Sequence, residues 1–231
     1  MSEHDLQDEL HVMKVVHFDA FNDHIRQLLM KAEHPLSYES GDYVMLGMNS
    51  GDLKPFSIAN APREDGLIEC HIRIIDDNPW MTEFAKTQVG DTLVVQGPKK
   101  QMRLQAGHEP IIFVAGGTGF APLYAILIES LRQKLEVPIS FYWGARCVED
   151  LYMHDTMIEL AQRHGHIEYI PVLSEQFDNW TGEKGLVHQT VLKHHPSLKH
   201  HRVYLCGSWP MIQTVKEDFI AANLAADNLI F

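Results

Sequence analysis

The chain has 231 residues, 45% apolar and 22% charged, enough for one large or two modest globular domains; this excludes a disordered, collagenous or coiled-coil chain. No apolar run reaches the ~18 residues of a membrane helix, and the acidic, polar start Met1–Leu10 lacks the order of a secretory signal, so no membrane partner is expected and the expected compartment is the cytoplasm. A net charge of −12 repels phosphate backbones, so nucleic acid is not an expected partner, and a phosphorylated ligand would need a local positive pocket or a set of backbone N–H groups.

From His11 to about Leu104, short β-rich runs alternate with turn signals. His11–Phe18, Tyr43–Met48, Pro55–Ala59, Leu67–Ile75 and Thr92–Gln96 read as strands. Turns such as Ser50-Gly51-Asp52, Glu64-Asp65-Gly66 and Val89-Gly90-Asp91 punctuate them, which predicts an antiparallel barrel or sandwich. Ile25–Ala32 suits a helix as well as a strand, because Leu28, Leu29 and Met30 run together. Met81–Gln88 reads as a short helix.

From Pro110 the pattern changes. Ile111–Ala115, Ile139–Gly144, Ile167–Ser174 and Arg202–Cys206 read as buried strands. Helices are expected over Ala121–Leu135, near Glu149–His164, near Leu186–His194 and over Met211–Leu224. Four strand-then-helix units with apolar strands predict a doubly wound parallel sheet. The polar stretch Gln105–Glu109 marks the boundary, giving domains over residues 1–105 and 106–231.

The chemistry is expected at strand ends. Ala115-Gly116-Gly117-Thr118-Gly119-Phe120-Ala121-Pro122 follows a buried strand and opens a helix. Glycines let backbone approach a ligand, and the helix start offers free N–H groups and a positive dipole end to a pyrophosphate. Pro122 suits a first turn. The spacing is not the Gly-x-Gly-x-x-Gly fingerprint. Cys206-Gly207-Ser208-Trp209-Pro210-Met211 leaves the last strand, so Cys206 and Gly119 are expected on one rim of a parallel sheet.

The third element is Lys54-Pro55-Phe56-Ser57-Ile58-Ala59-Asn60. It resembles the flavin-binding strand of the ferredoxin–NADP reductase superfamily. Ala-Gly-Gly-Thr-Gly-x-x-Pro and Cys-Gly-x-x-x-Met resemble that superfamily's two nicotinamide-nucleotide signatures, in the same order. Tyr142-Trp143-Gly144 followed by Leu151-Tyr152 looks still more like its NAD(P)H–flavin reductase branch. The resemblance implies an N-terminal antiparallel β-barrel that binds flavin, then a doubly wound parallel-sheet domain that binds NADH or NADPH. It implies hydride transfer from nicotinamide C4 to flavin N5, with Ser57 and Cys206 as the catalytic residues. Ser57 would present its hydroxyl to N5, donating to the oxidised ring and accepting from the reduced one. Lys54, Pro55, Phe56 and Ile58 would line the flavin. Gly116, Gly117, Thr118, Gly119 and Pro122 would hold the nucleotide. Cys206, with Gly207, Pro210 and Met211, would sit beside the nicotinamide. Arg146 and Tyr152 are candidate contacts to the adenosine end, or surface and packing residues. His71 is a flavin contact or a satisfied strand histidine.

The departures from the superfamily pattern bear on flavin retention. Lys54 stands where strong flavin binders carry Arg, and lysine lacks Arg's fork for phosphate. Asn78-Pro79-Trp80-Met81 replaces a phosphate-contacting Gly-x-x-Ser, and Pro98-Lys99-Lys100-Gln101 replaces a Pro-x-Gly. These losses fit FMN, FAD or riboflavin as a diffusing or loosely bound substrate. A flavin-dependent monooxygenase, ferric iron or oxygen would then be the acceptor. Two other classes stay open: a reductase component that keeps its flavin and serves a protein partner, and a non-catalytic redox-sensing module.

Fifteen histidines and three cysteines, Cys70, Cys147 and Cys206, raise a metal reading. No Cys-x-x-Cys pair exists, and three thiols cannot complete a four-cysteine cluster. His194-His195 and His200-His201 lack a nearby acid in sequence and read as solvated loop histidines, so no metal is expected.

Overall fold

A computed structural model describes residues 9–175, 177 and 179–231. The chain divides into two compact units. One runs through Leu104 and includes Tyr124–Arg132; the other comprises Gln105–Leu123 and Gln133–Phe231.

The first unit contains β1 (Leu10–Ala20), β2 (Ile25–Ala32), β3 (Tyr43–Gly47), β4 (Lys54–Ser57), β5 (Leu67–Arg73) and β6 (Thr92–Lys99). Their order is β4-β3-β6-β1-β2-β5, and every neighbour pair is antiparallel. Ile58, just past β4, makes an antiparallel bridge to Cys70 on β5, and this joins the two edges into a barrel. Met13, Val15, Leu28, Val44, Ile68 and Val95 fill the interior from alternating positions. The ambiguous segment Ile25–Ala32 is a strand. It pairs with β1 on one side and β5 on the other, and Leu28, Met30 and Ala32 point inward. A short helix, α1 (Pro79–Phe84), starts two residues earlier than the sequence suggests. Pro79 occupies its first turn and Asn78 caps it, and Phe84 is fully buried.

The second unit holds a parallel sheet. Its strands are β7 (Ile111–Gly116), β8 (Ile139–Ala145), β9 (Ile167–Leu173), β10 (Glu183–Lys184), β11 (Arg202–Cys206) and β12 (Leu229–Ile230). In chain order the helices α2 (Phe120–Arg132), α3 (His154–Arg163), α4 (Val187–His194) and α5 (Trp209–Ala221) alternate with them, and α2 from Tyr124 on groups with the first unit. The order β10-β9-β8-β7-β11-β12 shows the winding. The chain steps outward from β7 to β10, then returns to place β11 on β7's other side. The reversal between β7 and β11 opens a crevice at their carboxyl ends, the usual ligand position in such sheets. Ile111–Ala115 of β7 are at most 1% exposed, as expected for a central strand covered on both faces.

The stretch Gln105–Glu109 is tied to this sheet by a buried arginine. Arg202 donates to the Gln105 and Ala106 carbonyls at 2.6 and 3.1 Å and pairs with Glu109 at 2.7 Å. The Tyr204 hydroxyl accepts from the Gln105 N–H at 2.8 Å. Among the described residues, no helix is long and apolar enough to cross a membrane.

Candidate active site

Two motifs meet where β7 and β11 end. Cys206 lies opposite Ala115 in the parallel register. Beyond them the chains touch through glycines. A Cβ on Gly119 would collide with the Cys206 carbonyl oxygen, and one on Gly116 with the Met211 sulfur. A Cβ on Gly207 would come within 2.6 Å of the same sulfur and 3.5 Å of the Gly116 Cα. Gly116, Gly119, Gly207, Cys206 and Met211 are thus one close-packed seam, which explains why both turns carry small residues.

Gly117 differs. Its φ of +54° lies in the left-handed region, and a Cβ there would meet nothing within 4 Å. Three further groups hold this turn. The Trp143 indole N–H donates to the Gly117 carbonyl at 2.9 Å. Phe120 stacks on Trp143 with centroids 3.9 Å apart. Tyr152 stands edge-on to both rings, at 5.7 and 5.1 Å. The Tyr142-Trp143-Gly144 motif and Tyr152 therefore buttress the glycine turn from the neighbouring strand. No side chain caps the turn over Gly117–Gly119, so its amides are presented with the positive end of α2, a suitable cradle for a pyrophosphate. Thr118 is half-buried in this turn, and Pro122 is buried in the first turn of α2.

Cys206 is a thiol, not a thiolate, at neutral pH. Burial pushes it up to about 11, against a smaller opposing pull from the Gly207 backbone. It can therefore shape a stacking surface but does not act as a nucleophile. Pro210, in the first turn of α5, is exposed. Arg146 leaves the end of β8 exposed, with its Nε 3.6 Å from the buried Asp150 carboxylate.

In the barrel, β4 pairs with β3 so that Ser57 faces Tyr43. Ser57 is half-buried, and no hydrogen bond within the described residues engages its hydroxyl. Pro55 is exposed and Phe56 half-buried. Phe56 stacks on Trp80 at 5.9 Å, and Trp80 lies nearly parallel to Phe84 at 4.9 Å. Ile58 points into the core with no exposure, and its N–H donates to the Asp42 carbonyl. Asn60 stitches the exit of the motif to β5: its amide donates to the Leu67 carbonyl at 3.0 Å and its oxygen accepts from the Glu69 N–H at 2.7 Å.

His71 is buried, with its Nε2 3.0 Å from Glu69 and its ring edge-on to Phe21 at 5.0 Å. Burial would raise the Glu69 carboxyl, yet hydrogen bonds from His71 and Gln27 and the charge of His71 hold it below its ordinary value. His71 is thus bound into the barrel's own polar network.

Three groups flanking the Pro55-Phe56-Ser57 motif bond within the barrel. Lys54 is paired with Asp52 at 2.6 Å. The Trp80 indole N–H donates to the Asp52 carbonyl at 3.0 Å. The Asn78 side chain accepts from the Met81 N–H at 3.1 Å, closing the start of α1. Asp52 carries no motif, and its part is legible only once the fold brings Trp80 to it.

The histidine cluster is solvated in part: His194 and His200 are exposed, while His195 and His201 are half-buried. His194 contacts the Tyr142 hydroxyl at 3.1 Å and Glu183 at 3.2 Å. His195 and His201 lie ring to ring at 4.9 Å, half-buried. The acid absent from the local sequence is Glu183, supplied by the neighbouring β10. Among the described residues, no group of three or more His, Cys, Asp or Glu side chains could hold a metal ion.

The oxidoreductase FAD-binding domain family matches residues 14–104 and the oxidoreductase NAD-binding domain family matches residues 113–217. An NAD(P)H-flavin reductase of Vibrio harveyi is 31% identical over 212 residues, covering 89% of this chain and 90% of that protein. The chain belongs to the NAD(P)H–flavin reductase family. The CDP-6-deoxy-L-threo-D-glycero-4-hexulose-3-dehydrase reductase of Yersinia pestis is 36% identical over 191 residues, and the matched region spans 57% of that longer protein. Among solved structures, an Amycolatopsis cytochrome P450 reductase superposes with a TM-score of 0.88 at 26% identity, covering 96% of this chain and 69% of that one. A Neisseria gonorrhoeae ferredoxin NADP+ reductase shares the fold, with a TM-score of 0.81 at 19% identity over 94% and 92% of the two chains. The FAD-binding match falls on the antiparallel barrel and the NAD-binding match on the parallel sheet.

Proposed function

We propose that this chain is an NAD(P)H:flavin oxidoreductase that takes flavin as a diffusing substrate. The observation that carries the reading is the glycine seam between β7 and β11, beside the uncapped turn at Gly117. It supports a nucleotide whose pyrophosphate rests on the amides of residues 117–119 and whose nicotinamide lies toward Cys206. A hydride would pass from nicotinamide C4 to flavin N5, leaving NAD(P)+, and the ring would take a proton from solvent. In this reading the protein supplies proximity and orientation while the two ring systems carry the chemistry. The free Ser57 hydroxyl can donate to N5 before transfer and accept from N5–H after it. Cys206, small and neutral, permits close approach without reacting.

The flavin is expected to come and go because Lys54, Trp80 and Asn78 are already engaged within the barrel. Affinity then comes from the ring, and riboflavin and FMN should bind alike. A flavin-dependent monooxygenase, ferric iron or oxygen is the acceptor we propose. A reduced pyridine nucleotide as electron source, together with three free cysteines, supports a cytoplasmic setting.

A second reading is a reductase component that keeps its flavin and serves a protein partner; the names of the Yersinia and Amycolatopsis proteins favour it for those proteins. One experiment separates the two. Nucleotide oxidation is followed with and without added riboflavin, FMN and FAD, on protein dialysed after purification. The diffusing-substrate reading requires a colourless or faintly yellow protein, activity that depends on added flavin, and micromolar dissociation constants, about −8 kcal/mol. Stoichiometric flavin surviving dialysis, or FMN held about a hundredfold tighter than riboflavin, selects the second reading.

A further inference from the structure

The ends of β8 and β9 carry a charge pattern that the reductase reading does not use. The Ser174 N–H and hydroxyl both bond to the Ala145 carbonyl, at 2.9 and 3.2 Å. The Glu175 N–H bonds to the Arg146 carbonyl at 3.1 Å. These bonds set Arg146 and Glu175 side by side on the carboxyl rim of the sheet. Arg146 is ion-paired with Asp150, whose side chain is 7% exposed. Glu149 and Glu175 are exposed carboxylates on the same rim. The next cation outward is Lys184, opposite Leu173 in register, with its ammonium 5.2 Å over the Phe177 ring.

This inference rests on the nucleotide reading above. With the pyrophosphate on the turn after β7 and the nicotinamide on the β11 side, the adenosine half extends over the ends of β8 and β9. NADH and NADPH differ only there, by a 2′-phosphate. A phosphate ester of nearly two negative charges needs a free guanidinium fork and hydroxyl donors. At this rim the guanidinium faces a buried carboxylate, the serine hydroxyl is held by a carbonyl, and two more carboxylates add repulsion. A neutral 2′-hydroxyl meets no such penalty, and a carboxylate can accept a hydrogen bond from it. We propose that Glu175, beside Arg146, makes this chain select NADH against NADPH. Asp150 offsets part of the Arg146 charge from its Nε side, and Glu175 is the repelling charge.

The test uses the full chain and has two readouts. Without flavin, binding of adenosine 5′-monophosphate and adenosine 2′,5′-bisphosphate is measured by calorimetry. With riboflavin added, kcat/KM is measured for NADH and NADPH. The expected result is a preference of about tenfold or more for the fragment and the dinucleotide lacking the 2′-phosphate, from several partly exposed charges acting together. That preference should shrink as salt is raised, since exposed charges are screened. Glu175→Gln should narrow both ratios several-fold, and Glu175→Arg should narrow them further. Equal use of the two nucleotides, preference for NADPH, or a ratio that Glu175→Gln and Glu175→Arg leave unmoved would overturn the proposal while the reductase reading stands. Selective fragment binding without oxidation of either nucleotide would support the rim's discrimination and overturn the reductase reading. Failure to bind either fragment would overturn both.

Discussion

Two helix starts in this molecule treat their amides in opposite ways. At α1, Asn78 turns its side chain onto the Met81 N–H, and Trp80 and Lys54 attach to Asp52. At the turn before α2, no side chain caps the amides, Gly117 faces open space, and Trp143 grips the turn only by its carbonyl. Each segment is anchored by aromatic rings, Phe84 beneath the first and Trp143 beside the second. Only the second leaves its donors to a ligand. The starts of α3, α4 and α5 also lack a side-chain cap, so what sets the α2 start apart is its approach through Gly116, Gly117 and Gly119.

Variants can break that contrast, and the largest effect is expected at the open turn. Gly117→Val places a branched side chain in left-handed backbone, in open space that the proposed nucleotide would use. Nucleotide affinity should fall roughly 100-fold, from strain of ~1–3 kcal/mol plus lost approach. Flavin affinity should hold; equal loss of both ligands from a folded variant would defeat the division into a flavin half and a nucleotide half. Ser57→Ala comes next. If Ser57 supports flavin N5 as proposed, the variant should slow single-turnover flavin reduction by roughly 10- to 100-fold, with nucleotide binding kept. An unchanged rate would remove Ser57 from the chemistry.

The capped helix should show a smaller and different response. Asn78→Ala should lower stability by about 1 kcal/mol in denaturant titration. It should leave the ratio of riboflavin to FMN affinity near its starting value, since the cap serves α1 and not a phosphate. A large shift in that ratio would mean that α1 is a ligand site after all.

The mildest prediction concerns acid. Burial holds His154, His188, His195 and His201 below the ordinary imidazole value. Asp155 and Asp218 partly offset this at the first two, while neighbouring histidines reinforce it at the others. The unfolded chain therefore binds more protons. Their contribution to stability is complete above about pH 6.5 and is lost as pH falls below it. The melting temperature should be lower at pH 5.5 than at 7.5. Cys206, pushed up to about 11, should contribute no ionisation to the pH–rate profile between those values.

Much of this was legible in the sequence because strand and turn chemistry is local. Ile111–Ala115 followed by glycines, and Arg202–Cys206 followed by Gly207, announce strand ends by composition alone. Ile25–Ala32 did not declare itself, because Leu29, on the face opposite the buried Leu28 and Met30, is also apolar and hides the alternation. The two-residue strands Glu183–Lys184 and Leu229–Ile230 are too short for any period to show. The engagement of Trp80 was also hidden. The Trp80 bond to the Asp52 carbonyl spans 28 residues, a tertiary contact that local spacing does not encode, whereas Lys54–Asp52 and Asn78–Met81 are local pairs two and three residues apart. The pairing of His194 was hidden for the same reason, since Glu183 reaches it from a different strand.

The seam has a consequence for how the molecule comes into being. β7 and β11 are neighbours in space but about 90 residues apart in sequence, with three strands formed between them. Until Arg202–Cys206 emerges from the ribosome, β7 is a bare sheet edge made of Ile111, Ile112, Phe113, Val114 and Ala115. Such an edge invites pairing with other chains. Fragments that stop short of Arg202 should therefore aggregate rather than fold. During synthesis, the strand that completes the nucleotide crevice is also the one that makes the sheet safe.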